Sequence, residues 1–362
     1  RCMLHKYLGG QRTAGEIDFT PPDFFESLGI DWIAGKAMTR LHCEEERIEL
    51  DDGTLIPYDR LLICSGAYYL APPVPGLREA GNVYGFRDLS DAEAIKNAAG
   101  PGMKAVIIGS GLVGLDAAYG LLERGMKLTV VEMADRILPV QLDAHAAAAY
   151  QAAFEKEGVR FLLGRKASEA SCGPDGRIHQ VILDNGDTVP CDLVIVAAGV
   201  RPALAFLEGS GIACDRGITV DASMKTSVED VYAAGDITGL SGIWPNAADQ
   251  GRTAGKSMCG ADASYTDTYA VKNTINFFRL VTLCVGRIRE EEGDQIHIRE
   301  DRTQYKRMLV RDGRIQGILL QGNIAGAGIW QYLIKNKIDV RGIKKDVFDI
   351  NYGDFYHGGD RG

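Results

Sequence analysis

Lys104-Ala-Val-Ile-Ile-Gly109-Ser-Gly111-Leu-Val-Gly114 runs on through a helical stretch into Lys127-Leu-Thr-Val-Val-Glu132. An apolar strand leads straight into Gly109-x-Gly111-x-x-Gly114, and a second strand ends in an acid 23 positions after the first glycine. A glycine triplet alone is a weak signal. Set between a strand and a helix, with the acid at that distance, it predicts a dinucleotide site in a parallel α/β unit. Gly109 permits the tight turn after the strand, Gly111 lets a pyrophosphate approach the backbone, and Gly114 lets the helix pack close to the strand. Leu112 and Val113 open the helix, where free N–H groups and the positive dipole end face the phosphates. Glu132 accepts hydrogen bonds from ribose hydroxyls and repels an additional phosphate, which favours NADH over NADPH; Arg136, four residues on, softens that preference. The competing reading is a glycine-rich turn in an unrelated α/β domain, and the agreement of strand, triplet, helix and acid weighs against it.

The rest of the chain bounds the answer. At 362 residues it has room for two or three domains. An apolar fraction of 46% with 25% charged residues is ordinary for a soluble globular protein. The net charge of −9, without a basic run, argues against nucleic acid as a main partner. No apolar run approaches the roughly 18 residues of a membrane span. The eight cysteines form no Cys-x-x-Cys pair and suit no zinc site, so no metal is expected. Several lie in apolar segments, the pattern of reduced, buried thiols in a cytoplasmic protein. No signal peptide is visible, although the sequence begins at Arg1 rather than Met.

Outward from the central stretch, Pro21-Pro22 opens a short helix containing Phe24 and Phe25. Strands are expected at Asp31–Gly35 and Ala37–Cys43, and a hairpin at Arg47–Leu50 and Thr54–Pro57 around Asp51-Asp52-Gly53. Leu61–Cys64 is an apolar strand, and Ser90–Ala99 a helix capped by Ser90 with Glu93 behind it. Asp143–Glu157 reads as a helix, Val159–Leu163 as a strand, Val181–Leu183 with Thr188–Pro190 as a hairpin, and Asp192–Val200 as a buried strand. Gly217–Asp221 and Val231–Ala234 are short strands, followed by a helix over Asn246–Met258. From Ala263 the texture becomes that of an α+β domain: strands at Val281–Ile288, Gln295–Ile298, Lys306–Val310 and Ile315–Gln321, then a helix over Ala325–Lys335.

Four further segments carry a resemblance. Leu61-Leu-Ile-Cys64-Ser65-Gly66-Ala67, Val194-Ile-Val-Ala-Ala-Gly199-Val-Arg-Pro202, Val231-Tyr-Ala-Ala-Gly235-Asp236-Ile237 and Trp244-Pro-Asn246-Ala247-Ala-x-x-Gly251-Arg252 stand in the order found in the flavin-dependent pyridine nucleotide-disulfide oxidoreductase superfamily. Within it the sequence is most similar to NADH-dependent rubredoxin and ferredoxin reductases and the flavin part of NAD(P)H nitrite reductases. The resemblance implies an α/β fold with two nested Rossmann-like domains, for FAD and NAD, and a C-terminal α+β domain that mediates dimer contacts. The implied divisions are an FAD-binding part over 1–98, an NAD(H)-binding domain over 99–216, a second FAD-binding part over 217–262 and the C-terminal domain over 263–362. Asp236 would hydrogen-bond the ribityl chain, and the helix beginning at Asn246 and Ala247 would face the flavin pyrimidine edge. Ser65, Gly66 and Ala67 would form the crossing beside FAD, with Gly235 and Arg1 also lining it; Gly199, at the exit from the NAD domain, would contact NAD.

The family opens with a glycine fingerprint for the FAD pyrophosphate. This sequence has none, and Arg1–Gly10 resembles the segment that passes over the flavin ring. The full-length protein is therefore expected to bind FAD, while these 362 residues would hold it poorly or not at all. Lys6 matches a lysine that relatives place near flavin N5, and Asp116 an acid that pairs with it. Against that ion pair stands a solvated lysine and a helix-start acid. Cys2, in Cys2-Met-Leu-His-Lys-Tyr-Leu-Gly9, resembles the reactive cysteine of coenzyme A-disulfide reductases and NADH oxidases, although the local match also fits an ordinary small residue. His357 stands without the His-Pro context of the glutathione reductase type.

The resulting expectation is an enzyme that moves hydride from NADH to FAD and then electrons to a rubredoxin- or ferredoxin-like carrier or partner subunit. One alternative is a Cys2-based disulfide, peroxide or NADH oxidase-type reductase. Another is a redox-degenerate nucleotide-binding subunit of a larger complex. Lys335, Lys337, Arg341, Lys344 and Lys345 offer a basic face for an acidic partner, interrupted by Asp339 and Asp346.

Overall fold

The computed structural model describes residues 3–267 and 272–355. In chain order, α1 (Leu4–Leu8), α2 (Ala14–Ile17) and α3 (Phe24–Ser27) precede β1 (Met38–His42), β2 (Arg47–Leu50), β3 (Leu55–Pro57), β4 (Leu61–Ile63) and β5 (Ala67–Tyr69). Next come β6 (Val83–Tyr84), α4 (Leu89–Ala98), β7 (Lys104–Ile108), α5 (Leu112–Leu122), β8 (Lys127–Glu132), α6 (Ala144–Lys156), β9 (Arg160–Leu163), β10 (Ala167–Cys172), β11 (Ile178–Leu183), β12 (Thr188–Pro190) and β13 (Leu193–Val196). β14 (Val200–Pro202), β15 (Val231–Ala233) and α7 (Trp244–Met258) follow. The last elements are β16 (Lys272–Phe277), β17 (Leu280–Gly286), β18 (Gln295–Glu300), β19 (Tyr305–Arg311), β20 (Arg314–Gln321) and α8 (Ala327–Lys335).

Two compact units emerge. One comprises Ala71–Ala198 with the described residues before Arg12 and after Asp267; the other comprises Arg12–Leu70 and the residues from Gly199 to Asp267. The division between these units falls at 70/71 and 198/199, beside the boundaries at 98/99 and 216/217 expected for nested FAD and NAD domains. The single strand expected over Asp192–Val200 explains the division at 198/199. It breaks at Ala197–Gly199 into β13, which belongs to the first unit, and β14, which pairs with β5 in the second.

The first unit is built on a five-stranded parallel sheet of order β6-β13-β7-β8-β9. The apolar runs of β7 and β13 are buried, as strands covered by helices on both faces require. Its helices start as the local chemistry dictates: Asp143 accepts the Ala146 N–H to cap α6. α4 is capped by Asp88 and Asp91 rather than by Ser90, whose hydroxyl instead donates to Asp88. The same unit holds a five-stranded antiparallel sheet of order β16-β17-β20-β19-β18, with Trp330, Leu333 and Ile334 of α8 packed on Leu283, Met308, Ile318 and Leu320. Buried polar contacts tie this sheet to α6. Tyr150 Oη donates to the Ile275 and Leu280 carbonyls (3.1 and 2.8 Å), Gln321 Nε2 to the Ala146 carbonyl (3.0 Å), and Tyr305 Oη to the Asp143 carboxylate (2.6 Å).

In the second unit β4 and β15 pair in parallel, and Leu41, Ile63, Leu207, Ile218, Val231, Ala233 and Ile237 form its core. The strand expected at Asp31–Gly35 is absent. Among the described residues no strand pairs with it, and an extended segment without a ladder partner leaves its backbone groups to water. Trp32 is accordingly 64% exposed and stacks on Phe25 at 4.3 Å, while Phe19 is 79% exposed. Gly217–Asp221 likewise forms only an isolated bridge, Cys214 to Ile218. No helix among the described residues is long and apolar enough to cross a membrane.

The two carbonyls held by Tyr150 give a direct test of the α6 contact. Tyr150→Phe leaves both without that donor and is expected to cost about 1–3 kcal/mol, read as a lower urea midpoint at unchanged m-value.

Candidate functional site

The cradle after β7 has the geometry its glycines predict. Gly109 takes φ +104°, and a Cβ there would lie 2.5 Å from the Ala197 carbonyl oxygen at the end of β13. A Cβ on Gly114 would collide with the Gly109 carbonyl oxygen, so the α5 helix could not approach the turn. Gly111 differs from both: its φ is −68°, and nothing lies within 4 Å of where its Cβ would be. That open space is where a pyrophosphate can approach, at the crevice where strands run outward in opposite directions from β7. The α5 N-terminus has Gly111 as its N-cap and no side-chain cap, so the N–H groups around Leu112 and Val113 are left for a ligand.

Glu132 ends β8 beside this cradle. Its Oε2 accepts from the Ser110 N–H and hydroxyl, both at 2.8 Å, and its Oε1 from the Ala134 N–H at 2.8 Å. The carboxylate is thus oriented before any ribose arrives. Arg136 is committed to its own loop, donating to the Leu142 and Pro139 carbonyls and pairing with Asp135 at 2.8 Å. The softening of cofactor preference expected from Arg136 loses its basis there.

The second unit carries the other group of residues. Cys64, Ser65 and Gly66 follow β4, with Gly66 at φ +72° and its carbonyl accepting the Ala203 N–H; Ala67 opens β5, opposite Pro202. Beside it, β15 runs into Gly235 at φ +82° and a buried Asp236. Gln250, fully buried on α7, accepts the Gly235 N–H at 2.8 Å and the Thr238 hydroxyl at 3.3 Å, which locks the Gly-Asp turn to the helix. The α7 helix starts at Trp244-Pro245 without a side-chain cap, and Asn246 in its first turn is fully buried with Ala247 beside Gly235. A buried carboxylate after a parallel strand, with an uncapped helix start near it, is a donor and acceptor set that fits the ribityl and ring edge of a flavin. Gly199 (φ +122°) belongs to this second unit, not to the one bearing the glycine cradle.

The expected Lys6–Asp116 pair is replaced. Asp116 Oδ1 lies 3.4 Å from His5 Nδ1, and no ion pair joins Lys6 to Asp116 among the described residues. Helical phase is the reason: Leu4 and Leu8 of α1 face inward, and the His5 carbonyl and Leu8 press on the α5 helix at Gly120, where a Cβ would meet them at 2.8 and 3.1 Å. His5 shares that side, whereas Lys6 is turned by about 100°. Burial pushes the Asp116 carboxyl up to about 7. Burial, with the charge of Lys6, pushes the His5 imidazole down to about 4. Cys2, Arg1 and His357 lie outside the described residues.

His5, Ser110 and Gln250 are the residues that sequence reasoning passed over. Ser110 had a signal, a hydroxyl between two cradle glycines; His5 and Gln250 had none, because their roles depend on which neighbour each helix face meets.

Residues 1–251 match the family model described as pyridine nucleotide-disulphide oxidoreductase. Over 351 residues the chain is 31% identical to the NADH-dependent phenylglyoxylate dehydrogenase subunit epsilon of Aromatoleum evansii, covering 93% of this chain and 83% of that one. It is 29% identical over 346 residues to the NAD(P)H nitrite reductase of Bacillus subtilis (strain 168), of which it spans 43%. Among solved structures, the ferredoxin reductase for the CYP199A2 system from Rhodopseudomonas palustris superposes with a TM-score of 0.83 at 26% identity, covering 94% of this chain and 86% of that one.

The contrast between two glycines separates binding from folding. Gly111→Ala should leave the thermal midpoint unchanged and weaken NADH binding roughly tenfold or more, since the methyl fills the open approach. Gly114→Ala should destabilise the fold by about 1–3 kcal/mol, seen by denaturant unfolding with no ligand present.

Proposed function

The chain belongs to the pyridine nucleotide-disulphide oxidoreductase family, and we propose that within it the protein takes hydride from NADH onto FAD and passes the electrons to a small carrier protein or a partner redox subunit. The observation that carries this reading is the preformed cradle: Gly111 open above an uncapped helix start, with Glu132 already fixed by Ser110 and Ala134.

Each group then has a task. The N–H groups of Leu112 and Val113 would hold the NADH pyrophosphate, where the helix dipole favours anions. Glu132 would accept from the adenosine ribose, and its charge would turn away a phosphate at that position. In the second unit, Asp236, Asn246, Ala247 and the turn at Ser65, Gly66 and Ala67 would hold FAD. When bound, that flavin accepts two electrons as hydride and can release them singly. The start of α7 would stabilise negative charge at the flavin ring edge. No general base is needed for hydride transfer, so placement and electrostatics are the protein's main contribution.

The relatives support the acceptor class. One is named as a subunit of an NADH-dependent dehydrogenase, another as a ferredoxin reductase. The basic face weighed for such a partner is partly neutralised: Arg341 pairs with Asp339 and Lys345 with Asp354. The carrier is therefore proposed by class alone.

Anaerobic addition of NADH to the FAD-loaded protein should bleach the visible flavin absorbance, and NADPH should be less effective by roughly tenfold, the equivalent of about 1.4 kcal/mol. A bound flavin that NADH leaves oxidised would overturn the reading.

A further inference from the structure

The contact between α1 and the cradle helix brings together two groups whose combination is unusual. His5 Nδ1 is buried and makes no hydrogen bond, with Asp116 Oδ1 3.4 Å away. The His5 ring also meets the edge of Tyr119 at 6.1 Å, and α5, which carries Asp116 and Tyr119, packs against α1 at Gly120. Asp116 follows Gly114 by two residues on α5, the helix whose start forms the phosphate cradle. We propose that the Asp116 carboxyl, set against His5, holds a proton at the root of the dinucleotide cradle, and that loss of this proton weakens NADH binding. The proposal rests on the reading of the cradle as the NADH site.

The electrostatics follow from the surroundings. Lys6, next to His5 on α1, adds positive charge that keeps the imidazole neutral. Glu123, further along α5, lies under Gly9. On α4, Glu93 and Lys96 are engaged with Tyr7, at 3.3 Å to its hydroxyl and 4.4 Å over its ring. Glu132, on β8, is held by Ser110. The turn between β16 and β17 presents the Phe278 ring to Tyr119, next to Arg279. None of these supplies a cation paired with Asp116 among the described residues. Below about 7 its carboxyl is protonated and neutral, and above that it becomes an anion. His5, pushed down to about 4, stays uncharged through the same window and offers no compensation. The new negative charge then opposes the positive helix end that holds the pyrophosphate.

By linkage, NADH binding should draw a proton onto Asp116 at alkaline pH. The test is the NADH dissociation constant of this 362-residue chain, followed by nicotinamide fluorescence from pH 6 to 8.5, together with proton uptake in weak buffer. The expected result is a two- to fivefold weakening, on the order of one charge near a helix end, with its midpoint near 7. Asp116→Asn should bind at every pH with the affinity of the acid form. A pH-independent constant in the wild type without proton uptake, or an unchanged slope in Asp116→Asn, overturns the proposal while leaving the NADH site intact. If NADH fails to bind at any pH, the cradle reading falls and takes this proposal with it.

Discussion

The contact that organises the first unit is the approach of three backbone segments at one point. The Gly109 turn, the start of the cradle helix and the Ala197 carbonyl at the end of β13 come so close that no side chain fits at Gly109 or Gly114. This packing brings the helix N-terminus to the carboxyl edge of the sheet, at the strand where the order changes direction. An uncapped helix end over an open glycine at position 111 follows from it, and so does the position of Glu132, one strand away. Anion recognition as proposed for this cradle would depend on backbone packing more than on any side chain.

The same logic of close approach recurs at Gly120, where the absence of a side chain admits α1. Two small residues on one helix, Gly114 and Gly120, thus set both its approach to the Gly109 turn and the placement of His5 near Asp116. On α6, Asp143 and Tyr150 extend the arrangement to the antiparallel sheet through its capping carboxylate and a buried phenol. The C-terminal sheet is therefore held to the dinucleotide-type sheet by specific polar contacts within one unit.

Much of this was legible in the sequence, for identifiable reasons. Gly109 and Gly114 announce themselves because only a residue without Cβ admits backbone this close, and the hairpins at 47–57 and 181–190 follow from local turn chemistry. The turn at Gly235-Asp236 after a short strand is visible in the sequence, but not the glutamine on α7 that locks it. Asp31–Gly35 has the composition of a strand, yet pairing is a non-local property and no partner is present among the described residues. Asp88 displaced Ser90 as a cap by a shift of two residues, the usual uncertainty of a helix start. The pairing of Lys6 with Asp116 is what the family resemblance implies, whereas the phase of a five-residue helix against its neighbour, which puts His5 beside Asp116 instead, is not visible in a sequence.

The cradle at 109–114 is proposed to receive the NADH pyrophosphate. Amide NMR of the labelled protein, titrated with NADH, tests it residue by residue. The N–H signals of Gly111, Leu112 and Val113 are expected to shift most, with Ser110 and Ala134 following as Glu132 changes partners. Saturable NADH binding that leaves these amides unmoved would contradict it.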